Sequence, residues 1–187
     1  MNRQPPEPAG YRDLGMDLPY PITCAKMGVI CTISEGRMAE RSCPLCKRLD
    51  DLRSRRDPGF IHEFPNSFAV LGQQQLYRGS CMLISKKHAA ELHLLPPPER
   101  VAFCAEMMIL AEAIFRTVQP DKLNYELLGN LVPHLHWHIF PRVKVDKKFS
   151  DPIWVRPEKE RLAVQLSPED RSALIALLRE HLPKSPV

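Results

Sequence analysis

No run of apolar residues in this 187-residue chain is long enough to span a bilayer. The amino terminus, with Arg3, Pro5, Pro6, Glu7 and Pro8, lacks the apolar core of a secretory signal. The six cysteines are therefore expected to be reduced thiols of a cytoplasmic protein rather than a disulfide framework. A continuous basic stripe is also missing. The 26 Lys and Arg face 22 Asp and Glu, for a net charge of +4. The bases come in short groups: Arg53, Arg55 and Arg56; Lys86 and Lys87; Lys144, Lys147 and Lys148. Most such groups are solvated surface, and their spread suits a small anionic ligand better than a long nucleic acid. No internal repeat is present. What remains is enough chain for one domain with a core and some additional segments.

Residues 1–42 read as a proline-rich arm, 43–150 as the main domain and 151–187 as a carboxyl-terminal extension. Within the domain, Ser67–Leu71 and Cys81–Ser85 have the composition of short strands. A helix is expected to start in Pro96-Pro97-Pro98 and to bury Phe103, Met107, Leu110 and Ile114, with Cys104, Met108, Ala111 and Phe115 beside them. Leu123–Leu128 and a histidine-bearing strand follow. Ser167, Pro168 and Asp170 announce a last helix whose apolar face is Leu174, Ile175, Leu178 and Leu182.

The phrase His134-Leu135-His136-Trp137-His138-Ile139-Phe140-Pro141-Arg142 carries the chemistry. Read as one extended strand, it sets His134, His136 and His138 in a row, with Leu135, Trp137 and Ile139 facing the core. Neutral imidazole is a good nucleophile near pH 7, and phosphoryl or nucleotidyl transfer needs a nucleophile plus groups around the phosphate oxygens. The alternation, preceded by Asn124–Pro133, resembles the histidine triad superfamily of nucleotide hydrolases and transferases, and in particular its zinc-containing branch of diadenosine polyphosphate hydrolases. The resemblance runs from Cys43 to Arg142 and implies an α+β fold: an antiparallel sheet of about five strands with two main helices, paired into a homodimer. It implies that His136 is the nucleophile and that His138 contacts the phosphate under attack. Asn130, beside Gly129, and Asn124 would contact the phosphates. Many relatives carry an aspartate for the ribose where this chain has Gly72, so the ribose contact falls to Asn66 or Gln73 or is missing.

Cys43-Pro44-Leu45-Cys46 has the spacing of half a zinc site, and equally that of two buried thiols or a redox pair. The resemblance completes a ligand set of Cys43, Cys46, His88 and His134 around a structural zinc. Cys24, Cys31, Cys81 and Cys104 read as small buried hydrophobes, and His62, His93 and His181 as surface or partly packed residues. Trp154 fits a cover over the nucleotide, a dimer seam or ordinary packing. The expected activity is cleavage of a dinucleoside polyphosphate or another nucleoside phosphate derivative at the α-phosphate through a nucleotidyl-histidine. Transfer to phosphate or a sugar phosphate, or nucleotide binding without turnover, are the alternatives. Neither a membrane nor a long nucleic acid is an expected partner.

Overall fold

A computed structural model describes residues 42–184; the proline-rich arm, with Cys24 and Cys31, lies outside them. Five strands form one antiparallel sheet: β1 (Phe60–Glu63), β2 (Ser67–Leu71), β3 (Cys81–Ser85), β4 (Lys122–Glu126) and β5 (His136–Arg142). Their order across the sheet is β1-β2-β3-β5-β4, so β4 is an edge and β5 an interior strand. The interior position of β2 is written in its composition: all five residues are buried, with Phe68 and Val70 on one face and Ala69 and Leu71 on the other.

The period-two alternation of the strands divides the core into two layers. Ala69, Leu71, Leu83 and Ile139 point to one face, under helix α2 (Pro97–Val118) and the carboxyl-terminal helix (Pro168–Glu180). Phe68, Val70 and Ile84 point to the other, where helix α1 (Pro44–Arg53) lays Leu45, Leu49 and Leu52. Helix α2 starts at proline, where the missing N–H costs no hydrogen bond, and ends at Gln119 in the left-handed conformation at φ 46°. Its expected apolar face holds for Phe103, Met107, Leu110 and Ile114, but Met108 and Phe115 are 55% and 51% exposed on the outer side. The buried Glu106 carboxylate fastens this helix to the β1–β2 turn. It accepts from the backbone N–H and side-chain amide of Asn66 and from the Ser67 hydroxyl.

The extension past β5 folds back on the domain. After a turn at Ile153–Val155 comes the short helix α3 (Glu158–Leu162), and the last helix, α4, is Pro168–Glu180. Ser167 caps α4 as expected, accepting from the Asp170 N–H. Leu174, Ile175, Leu178 and Leu182 join the same core as α2. Arg179 on α4 donates to the backbone carbonyls of Ile61 and Phe60 on β1. Among the described residues no helix is long and apolar enough to cross a membrane.

Candidate active site and metal centre

β5 pairs with β3 so that Met82 stands opposite His138 and Ile84 opposite His136. Both imidazoles therefore project from the same face of the sheet, beside α1, while Trp137 and Ile139 project into the α2 layer. His136 is buried, and its Nδ1 lies 2.6 Å from the backbone oxygen of His134. A carbonyl oxygen can only accept, so the proton sits on Nδ1 and the lone pair on Nε2. His138 stacks on Phe140, with ring centroids 5.6 Å apart and planes 7° from parallel. Trp154 closes on it edge-on at 5.4 Å. Burial, and secondarily the neighbouring His136, lower the pKa of His138 from 6.5 to about 4. At neutral pH it is an uncharged ring with one N–H to give.

The three histidines do not share a strand. β5 begins at His136, and His134 lies in the turn before it, after Pro133. Proline supplies no ladder N–H. Instead the His134 N–H donates to the Val132 carbonyl, and its ring swings to the cysteine pair. Nδ1 of His134 lies 3.6 Å from Sγ of Cys43, 3.4 Å from Sγ of Cys46 and 3.3 Å from Nδ1 of His88. Cys46 Sγ and His88 Nδ1 are 3.3 Å apart. All four atoms fall within 4.8 Å of one another. A tetrahedral zinc with sulfur at about 2.3 Å and nitrogen at about 2.0 Å requires ligand–ligand edges of roughly 3.3–3.8 Å, and these contacts match them. Nε2 of His134 donates to the Ser85 carbonyl at 2.8 Å, which leaves Nδ1 as the ligating atom. The residues fit a metal ion. Burial pushes the thiol of Cys81 well up, so it has no such role.

Next to His138 opens a cavity of about 260 Å³. Its walls include Arg48 of α1, the Gly72–Gln74 loop, Met82, His138, Phe140, and Ile153, Trp154, Arg161 and Leu162 of the extension. A Cβ at Gly72 would lie 3.1 Å from the Ser80 carbonyl and 3.4 Å from the Gln75 amide nitrogen, which leaves little room for an acidic side chain. Buried Gln75 staples this loop, donating to the Gly72 and Ser80 carbonyls and accepting from the Gly79 N–H. The extension is stitched to the same loop: Gln75 N–H donates to the Val164 carbonyl, and Gln74 bridges to Gln165. Fully buried Arg142 holds the start of the extension, donating to the carbonyls of Lys148 and Asp151. Asp146 accepts from Arg142 and Tyr77 and pairs with Arg156; burial would raise its pKa, but the hydrogen bonds from Arg156, Tyr77 and the Lys148 N–H and the Arg156 charge hold its carboxyl far below the usual range.

Of the residues expected to touch substrate, Gln73 lines the cavity and Gly129 shapes the loop before the histidines, its φ of +75° being natural to glycine. Asn130 on that loop is exposed. Asn124 lies on the same sheet face as His138, with its oxygen accepting from Arg142. Asn66 is at the opposite end of β2 from Gly72, bound to Glu106. His62, expected at or near the surface, is buried against Phe64. Arg48, Glu126 and Arg161 stand out only in the structure. Glu126 accepts from the Trp154 indole N–H, a contact between residues 28 positions apart that no local pattern announces.

Residues 54–145 match the HIT domain family. The adenosine 5′-monophosphoramidase of Schizosaccharomyces pombe is 30% identical over 83 residues, 41% of this chain and 58% of that protein. The chain thus spans less than two thirds of that relative's length. A histidine triad protein from Bradyrhizobium japonicum superposes with a TM-score of 0.59 at 26% identity, covering 70% of this chain and 94% of that one. A Zn-bound histidine triad family protein from Mycobacterium smegmatis superposes with a TM-score of 0.54 at 25% identity, covering 76% and 94%. The matched segment contains both imidazoles of β5 and the loop that orients them, and the sheet around them is the one those proteins share. The chain belongs to the histidine triad family.

Proposed function

We propose that this protein is a nucleotide hydrolase that opens nucleoside 5′-phosphate derivatives at the α-phosphate through His136. The observation that carries this reading is the 2.6 Å contact between Nδ1 of His136 and the His134 carbonyl, which presents Nε2 as a held, unprotonated nucleophile. Nε2 attacks the α-phosphorus; the N–P bond forms as the bond to the leaving group breaks, and the leaving group departs with a proton taken from solvent. Water then attacks phosphorus and returns a proton to solvent, the N–P bond breaks, and the nucleoside monophosphate leaves with His136 restored. Neutral His138 donates its N–H to a phosphate oxygen without adding charge. Asn124, Gly129 and Asn130 border the phosphates, and Gln73 takes the ribose, the task first shared with Asn66. The similarity to a monophosphoramidase supports phosphoramidates as substrates, and a diadenosine polyphosphate is the other derivative to be tested.

His136→Ala should lower turnover of adenosine 5′-monophosphoramidate and diadenosine tetraphosphate at least about 1,000-fold while nucleotide binding stays measurable. Near-parent rates in that variant end the proposal. Product analysis with added phosphate separates hydrolysis from transfer.

Cys43, Cys46, His88 and His134 would hold a structural Zn²⁺, which supplies cross-linking of α1 to the approach of β5. Two thiolates held ready for a metal suit a reducing compartment such as the cytoplasm. The edge strand β4 and the exposed Met108, Ile109, Phe115 and Tyr125 beside it are the surface on which two copies would pair. Phe115→Glu should then convert a dimer to a monomer in sedimentation velocity; a parent that sediments as a monomer refutes the pairing.

A further inference from the structure

The cavity beside His138 has an unusual charge balance. Among the described residues two guanidinium groups, Arg48 and Arg161, line it, and no carboxylate does. Arg48 is already neutralised, since its Nε lies 2.6 Å from Asp57 in a two-pronged pair. Arg161 is different. Its guanidinium lies over the Trp154 ring at 5.1 Å from the centroid, and its Nε donates to the Arg156 carbonyl. It forms no ion pair with any described residue. Stacking and the Nε hydrogen bond restrict its side chain, so the forked terminal nitrogens are held beside the cavity before anything binds. The carboxylate that would otherwise take ribose hydroxyls has no place at Gly72.

A carboxylate at a ribose selects free hydroxyls, whereas an arginine there selects a phosphate. Trp154 and Arg161 lie beyond the family match at residue 145, in the carboxyl-terminal extension. We propose that Arg161, braced by Trp154, is a specificity-determining residue that binds a second phosphate carried on the ribose. The substrate class is then a nucleoside 5′-phosphate derivative that also bears a 2′- or 3′-phosphate. This rests on the reading of the cavity as the nucleotide site.

Binding by calorimetry to the full-length protein tests it without turnover. The probes are adenosine 5′-monophosphate, adenosine 2′,5′-bisphosphate, adenosine 3′,5′-bisphosphate and adenosine 5′-diphosphate. One of the ribose bisphosphates should bind at least about tenfold more tightly than the monophosphate, as expected for a charge-assisted pair. Arg161→Gln should bring that ratio close to one and Arg161→Lys should restore part of it. Because the readout is a ratio, a general loss of folded protein does not mimic the effect. Equal binding of monophosphate and bisphosphates by the parent overturns the proposal, as does an Arg161→Gln variant that weakens all four ligands alike. A preference for the 5′-diphosphate over both ribose bisphosphates also overturns it, assigning Arg161 to the phosphate chain. If none of the four nucleotides binds, it is the nucleotide reading of the cavity that fails.

Discussion

The two ends of the active face are held together by different means. At one end four soft or borderline donors converge from α1, the turn after β3 and the approach to β5, and the set is complete within a few ångströms. At the other end the cavity wall comes from the extension, and a network of Arg142, Asp146, Tyr77 and Arg156 clamps it. A metal cluster is a strong, local constraint with a fixed donor list. A clamp of hydrogen bonds and ion pairs is spread over many partners, each weak in net terms. The first kind of constraint can be built from short motifs; the second admits an added segment without disturbing the chemistry beside it.

This contrast can be broken from either side. The largest effect is expected from metal removal. Chelation, or Cys43→Ser with Cys46→Ser, should lower unfolding stability by more than about 4 kcal/mol relative to protein with metal at a thousandfold excess over its dissociation constant. Equal stability with and without chelator, in protein shown to contain zinc, contradicts a structural role. Arg142→Ala comes next, at about 3 kcal/mol, because it removes a fully buried side chain and orphans two part-buried carbonyls and one partner of Asp146. It should free the extension, seen as a changed Trp154 emission in a Trp137→Phe background, and leave zinc content unchanged. Loss of zinc in that variant would show the two ends to be one unit.

The smallest effect concerns His138. Its folded pKa of about 4 is below the ordinary 6.5, so the unfolded chain takes the proton first. The stability contributed by the neutral ring is present above pH 6.5 and lost as the pH falls toward 4. Between pH 7 and 5 the loss is on the order of 2 kcal/mol. Urea midpoints across that range should fall more steeply for the parent than for His138→Phe; parallel slopes would refute the assignment.

Much of this architecture could be read from local pattern. The cap and apolar face of α4, the long α2 and the alternation of β5 each rest on neighbours in sequence. Helix α1 could not be read this way. Its buried side is three leucines among charges, and the cysteines at its start suggested chemistry rather than a helix. β1, four residues with a register shift between Phe60 and His62, offers too little alternation to notice. His134 failed as a strand residue because Pro133 interrupts the ladder, although the family resemblance still pointed to its partners. Arg161 and Glu126 carry no local mark, since their positions come from the path of the extension over the sheet.

The sheet has two margins, and they are finished differently. Arg179 occupies backbone carbonyls of β1, while among the described residues β4 carries no such cover. An exposed strand margin invites another chain, and two of them invite a string of chains. If two copies pair along β4, the Arg179 side chain on the opposite margin would stop strand addition after a single step. Arg179 would then act as a device for self-limitation, holding a protein with a sticky border at a closed pair.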